Sequence, residues 1–113
     1  MADPLRGEIW LADLDPIRRH EQGGKRPVLI VSTDLYNAGP AGLVVVLPLT
    51  KTHRAIPLHV RITPPEGGVK NASSILCDAV RSISKSRLVK PWGAVSAPVL
   101  ESIDDRLRIL LDL

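Results

Sequence analysis

Apolar residues come along this chain in short bursts, and only one series repeats at helical spacing. Residues 8 to 14, from Glu8 through Trp10 to Leu14, alternate loosely between apolar and polar, the pattern of a first strand that Pro16 stops. Val28-Leu29-Ile30-Val31 is a continuous aliphatic run of strand length and suits a strand buried on both faces. Leu43 to Leu47 is the most β-prone stretch and runs on through Pro48 and Leu49 to Thr50, where the proline predicts an edge position or a bulge. Residues 56 to 62 alternate around Leu58, Val60 and Ile62, with His59 and Arg61 on the opposite face. Residues 74 to 83 predict another strand and residues 92 to 95 a short last one. The intervening segments are a helical turn at Thr33 to Asn37, a Gly/Pro connector over residues 38 to 42, a polar loop at Lys51 to Ala55, a turn at residues 64 to 68 and a short turn or helix at residues 84 to 88.

The helical series is the tail. Val99, Leu100, Ile103, Leu107, Leu110 and Leu111 form one apolar stripe, with Glu101, Asp104, Asp105 and Arg108 on the other side. Ser96 is placed to cap this helix, and Pro98 is tolerated in its first turn. Short strands followed by one terminal helix predict a mainly β (α+β) fold: a compact barrel-like sheet of five to seven strands with a C-terminal α-helix, in one domain spanning residues 1 to 113.

Composition narrows the picture modestly. With 44% apolar and 24% charged residues the chain is ordinary globular material, and without phenylalanine its core must be built from Val, Leu, Ile and two Trp. A net charge of +3 favours polyanionic partners without deciding between them. Cys77 is alone, so no internal disulfide can form, and it reads as a small buried apolar residue. No apolar run is long enough for a membrane span, and no basic segment with an apolar stretch follows Met1, so a soluble cytoplasmic protein is expected.

The chemistry concentrates between the first two strands. A polar loop carrying His20, Glu21 and Gln22 is closed by Gly23 and Gly24, and Lys25-Arg26-Pro27 leads directly into the aliphatic strand. Arg26 is therefore expected at the mouth of a buried strand. The histidines lack metal-ligand spacing, no G-x-S-x-G elbow exists, and Gly23-Gly24-Lys25 opens onto a strand and not the helix a phosphate loop requires. Neither a metal nor any other cofactor is expected. What fits is phosphodiester chemistry on RNA, which carries its own nucleophile, the 2′-OH. Arg26 offers a forked, permanently charged donor for phosphoryl oxygens, Thr50 a hydroxyl from just past the valine-rich strand, and Glu21 or a histidine a base. Each has a plainer alternative: Arg26 as a strand-end cation, Thr50 as an ordinary β-branched residue, His59 as a solvated position. Arg81, in an apolar strand, must either pair with a carboxylate such as Asp78 or face a ligand groove.

These residues also carry a family resemblance. Arg6-Gly7-Glu8-Ile9-Trp10, Asp13-Leu14-Asp15-Pro16, Glu21-Gln22-Gly23-Gly24-Lys25-Arg26-Pro27 with the strand to Ser32, Tyr36-Asn37, and the block Asp78 to Leu88 together resemble the MazF/PemK/Kid family of toxin endoribonucleases. The resemblance implies a small SH3-like or CcdB-like barrel working as a homodimer. It also implies metal-independent, sequence-specific cleavage of single-stranded RNA, giving 2′,3′-cyclic phosphate and 5′-hydroxyl ends. Arg26 falls on the family's catalytic arginine, Thr50 on its catalytic threonine and Glu21 on an acidic position tied to proton transfer. The implied partner is an antitoxin whose disordered C-terminal segment folds onto the toxin.

Ala79 stands where relatives often carry a polar residue, so base preference is open. Aromatic residues make up only 3% of the chain, too few for recognition by stacking. RNA contacts are therefore expected from Gln22, Ser32, His59, Asp78, Ser82 and the Gly23-Gly24 pair, with Lys25, Lys51, Arg54 and Arg81 lining the path of the phosphates. The rival from another class is a non-enzymatic toxin on the same barrel that poisons DNA gyrase.

Overall fold

The computed structural model describes residues 2–14 and 24–113. Glu21, Gln22 and Gly23, with His20, lie outside the described residues.

Seven strands form one antiparallel sheet: β1 (Glu8–Asp13), β2 (Lys25–Ile30), β3 (Leu43–Thr50), β4 (His59–Ile62), β5 (Ser73–Leu76), β6 (Arg81–Ser84) and β7 (Leu88–Ala94). A short helix α1 (Asp34–Ala38) follows β2, and α2 (Ala97–Leu111) ends the chain. The order is β4-β5-β3-β2-β1-β7, with β6 also pairing β3. Strands β6 and β7 are joined by a 3-10 turn at Lys85–Arg87, so the ladder β6-β3-β2-β1-β7 must curl until its two edges meet at that turn. Inside the curl lie Trp10, Ala12, Val28, Ile30, Val44, Val46, Ile83 and Leu88. The opposite face carries Ile9, Leu29, Leu47, Leu49 and Ile75, packed with Ile62 of β4 and Ile103 of α2. Because β2 is buried on both faces, its apolar run is continuous, as the sequence predicts. The small barrel with a C-terminal helix is what forms, with no ladder closing it among the described residues.

Two prolines decide where this sheet comes apart. In antiparallel pairs, alternate residues turn their N–H and C=O toward the same neighbour. The Val31 N–H donates to the Val45 carbonyl at 2.9 Å, and the Gly7 N–H to the Ile30 carbonyl at 2.8 Å. Odd-numbered residues of β2 therefore face β3, and even-numbered ones face β1. Pro27 is an odd position whose nitrogen points at β3 with no hydrogen to give. The β2–β3 register runs Ile30↔Val46, Leu29↔Leu47, Val28↔Pro48 and stops there. Beyond it β2 stays paired with β1, and β3 pairs with β5 instead, at Leu49↔Ile75 and Thr50↔Ser74. The same parity aims the nitrogen of Pro48 at the other flank of β3, where β6 pairs at Val46↔Arg81 and β5 at Leu49↔Ile75. The 3-10 turn Cys77–Ala79 fills that gap.

That turn corrects one expectation. Residues 74 to 83 are not a single strand but β5, a turn and β6, and the interruption sends Ile75 and Ile83 to opposite faces of the sheet. Likewise the strand expected over residues 56 to 62 begins only at His59. Residues before it are held from α2, where the Arg106 Nε donates to the Pro57 carbonyl at 3.1 Å. The last strand is longer than expected, starting at Leu88. Ser96 does occupy the N-cap of α2, but its hydroxyl makes no capping bond; its backbone N–H donates to the Glu66 carboxylate. The helix is also tied to the start of β1 by the Arg6–Asp104 ion pair. Its stripe is covered at Val99, Ile103 and Leu107, whereas Leu110 and Leu111 of the stripe, and Ile109 and Leu113 outside it, remain exposed. Among the described residues no helix is long and apolar enough to cross a membrane.

Candidate active site

The break at Pro27 builds the site. Continuing the β2–β3 register two positions past Val28↔Pro48 sets Arg26 opposite Thr50, at the end of the pair where the strands have parted. Directly opposed residues in antiparallel strands share a face. Ladder partners therefore line up as one row across the sheet: Leu88, Ala12 and Arg26 on one side of the fork, Thr50, Ser74 and Arg61 on the other. Deeper in the molecule this face is the apolar interior of the curl. At the fork it reaches solvent, and Arg26 is exposed there.

Thr50 is half-buried at the end of β3. Its Oγ1 accepts the Thr52 N–H at 3.2 Å, which occupies one lone pair and leaves the hydroxyl hydrogen to be donated outward. The next residue along the row, Ser74, is 1% exposed, and its Oγ accepts from the Arg61 Nη1 at 3.0 Å. The same Nη1 donates to the Lys51 carbonyl at 3.2 Å. One position along, His59 opposes Leu76, and its Nε2 lies 3.0 Å from the Asp78 carboxylate on the Cys77–Ala79 turn. The choice left open for Arg81 is thereby narrowed: Asp78 pairs with His59, and Arg81, opposite Val46, is exposed on the face that carries Thr50. Lys51 and Arg54 are exposed in the segment that leaves β3.

Not every expected residue comes to this face. Lys25 alternates with Arg26 and opposes Asp13 across the β1–β2 hairpin, on the other face. Gly24 closes that hairpin, its carbonyl accepting the Leu14 N–H at 2.9 Å. Ser32 lies beyond the far end of β2, where its hydroxyl donates to the Asn37 side chain and accepts the Val45 N–H. Strand alternation also puts Ser82, opposite Val45, on the face away from Arg81. Ser32 and Ser82 are thus placed apart from Arg26 and Thr50, Ser32 by the length of β2 and Ser82 by strand alternation. Arg61 is the residue that sequence reasoning missed. Its alternation with His59 was visible, but its row partners Thr50 and Ser74 come from strands that only the register brings together.

Among the described residues the face gathers Arg26, Arg61 and Arg81, with Lys51 and Arg54 in the segment that leaves β3, and the carboxylate of Asp78. Such a field suits a polyanion. Where the β2–β3 ladder has ended, a forked cation on one strand and a hydroxyl on the other are the residue types that stabilise negative charge building on one phosphorus. Cys77 takes no part: it is fully buried, and burial above all pushes its thiol up from 9.0 to about 11, the Arg106 charge opposing and Asp78 adding to the shift.

Comparison with known proteins identifies what the chain as a whole is similar to. The chain is 36% identical to the endoribonuclease MazF9 of Mycobacterium tuberculosis over 96% of each chain. It is 33% identical to the endoribonuclease EndoA of Bacillus subtilis over 96% of this chain and 94% of that one. Among solved structures it superposes on the MazF chain of a MazE–MazF crystal structure from Deinococcus radiodurans with a TM-score of 0.84 at 31% identity, covering 100% of this chain and 99% of that one. Residues 5–111 match the family described as PemK-like, MazF-like toxins of type II toxin–antitoxin systems, and the chain belongs to that family.

Proposed function

We propose that this protein is the toxin of a toxin–antitoxin pair and an endoribonuclease that cuts single-stranded RNA at short sequences without a metal. The substrate's 2′-OH attacks the adjacent phosphorus, and the bond from phosphorus to the 5′ oxygen breaks. The 2′ proton passes to a base, Glu21 or a histidine, and the departing 5′ oxygen gains one. The products are a 2′,3′-cyclic phosphate and a 5′-hydroxyl. Arg26 neutralises the charge that accumulates on the non-bridging oxygens, and Thr50 donates its hydroxyl hydrogen to the same group. Arginine does not serve as the base, because a guanidinium is a donor without an acceptor site.

The observation that carries this reading is the end of the β2–β3 ladder at Val28↔Pro48, whose register, continued two positions, sets Arg26 opposite Thr50. The relatives' names support the activity, and the positive face supports an RNA path along Arg81, Lys51 and Arg54. Selectivity for bases rests on hydrogen bonds near Asp78 and His59, since Ala79 supplies none from its side chain. The exposed Ile109, Leu111 and Leu113 at the end of α2 are apolar surface that a homodimer, or the antitoxin's C-terminal segment, would bury. The cytoplasm, where RNA and antitoxin meet, is its place of action.

The test is purified protein incubated with a long unstructured RNA, with and without EDTA, followed by analysis of the ends. Discrete cuts bearing cyclic phosphate and 5′-hydroxyl termini, undiminished by EDTA, are expected. RNA shifted but uncut would reduce the protein to a binding module, and trapped gyrase–DNA complexes with intact RNA would favour the gyrase-poisoning alternative.

A further inference from the structure

We propose that Arg61 is a positioning residue for Thr50, holding the end of β3 in the shape that presents the Thr50 hydroxyl. The proposal rests on Thr50 being the hydroxyl donor of the reaction. Thr50 has no ladder partner on the β2 side, because the fork has opened there, so its position depends on what holds it from β5 and β4. The chain bends at Lys51 immediately after it. That bend brings the Thr52 N–H onto the Thr50 Oγ1, and this contact fixes which way the hydroxyl hydrogen can point.

Arg61 reaches over Ser74 to pin the bend. A single nitrogen, Nη1, donates both to the Lys51 carbonyl and to the Ser74 Oγ. Ser74 is the residue directly paired with Thr50, and it is 1% exposed, so its hydroxyl depends on partners within the protein. The planar guanidinium can bridge the two acceptors at a fixed angle; an ammonium on a flexible stem cannot hold that geometry as tightly. Removing the bridge leaves the Lys51 carbonyl and the Ser74 hydroxyl without it and lets the bend relax. Small misplacements of a catalytic group cost up to about 100-fold in rate.

The experiment pairs single-turnover cleavage of a long unstructured RNA with binding of a 2′-deoxy analogue that cannot be cut, measured across a salt series. Arg61→Ala is expected to lower the rate at saturating RNA by roughly 10- to 100-fold, with affinity for the analogue and its salt slope unchanged. Ser74→Ala should give a smaller loss of the same kind, and the double variant should be no slower than Arg61→Ala alone, because both act on one bridge. Arg61→Lys should recover part of the rate. A salt slope shallower by about 0.7 would mean that Arg61 touches a phosphate directly and would overturn the proposal. So would additive losses, or a wild-type rate in Arg61→Ala. Thr50→Ala, run alongside, separates the two levels: if it cleaves at the wild-type rate, the role of Thr50 itself is wrong, whereas an inert Thr50→Ala beside an unaffected Arg61→Ala removes only the positioning role.

Discussion

The two ends of the β2–β3 pair are built from similar residue types and do opposite things. At the far end, beyond Ile30, polar groups are consumed by the fold. Asn37 is fully buried; its Nδ2 donates to the Pro4 and Ser32 carbonyls at 3.1 Å each, and its Oδ1 accepts the Ser32 hydroxyl. Ser32 in turn accepts the Val45 N–H at 2.9 Å, and the Lys85 Nζ donates to the Asn37 carbonyl at 2.6 Å. At the near end the ladder stops before Pro27, leaving Arg26 and Thr50 beyond its last pair. A serine and an asparagine in a closed network lock strands together; the arginine and the threonine past the last pair make no such network among the described residues. What separates the two ends is backbone hydrogen bonding, set by one imino acid on the correct side of a strand.

The comparison breaks most visibly at the near end. Thr50→Ala should lower single-turnover cleavage by about 100- to 1000-fold, the usual cost of removing one preorganised donor to a charged transition state, with thermal unfolding unchanged. The mirror-image result is expected at the far end. Asn37→Ala should cost about 2–3 kcal/mol of stability in denaturant unfolding by leaving buried partners unsatisfied, while the protein that remains folded cleaves normally.

Pro27→Ala probes the fork itself. It restores an N–H aimed at Leu49, which should draw β3 toward β2 and narrow the gap. Cleavage should fall roughly 10-fold, from misplaced catalytic groups, and the new amide should be protected in hydrogen exchange. An unprotected amide with full activity would show that proline does not hold the fork open. The smallest effect is expected from Lys51→Ala with Arg54→Ala. Loss of two phosphate contacts should flatten the salt dependence of RNA binding by about 1.4 in log–log slope, and an unchanged slope would take that loop off the RNA path.

Much of this was legible in the chain. The aliphatic run at Val28 to Ile30, the valine-rich β3 and the amphipathic tail declared themselves by period, and Pro48 signalled an irregularity where β5 and β6 separate. The motif around Arg26 pointed to one end of one strand. Register stayed hidden, because it depends on pairings between segments far apart in sequence. It turned Ser82 to the face away from Arg81, added Arg61 through Ser74, and divided the strand expected over residues 74 to 83. Parity was hidden for the same reason: which flank Pro27 addresses follows only once Val31 is seen to bond Val45.

The central claim is that the guanidinium at the open end of β2 stabilises the charged phosphorus centre. Its most direct measurement is single-turnover cleavage of one unstructured RNA by Arg26→Ala and Arg26→Lys, with circular dichroism melts of both. A loss of at least about 100-fold in Arg26→Ala, a lesser loss in Arg26→Lys and superimposable melts are predicted. Cleavage by Arg26→Ala at the wild-type rate would contradict the account.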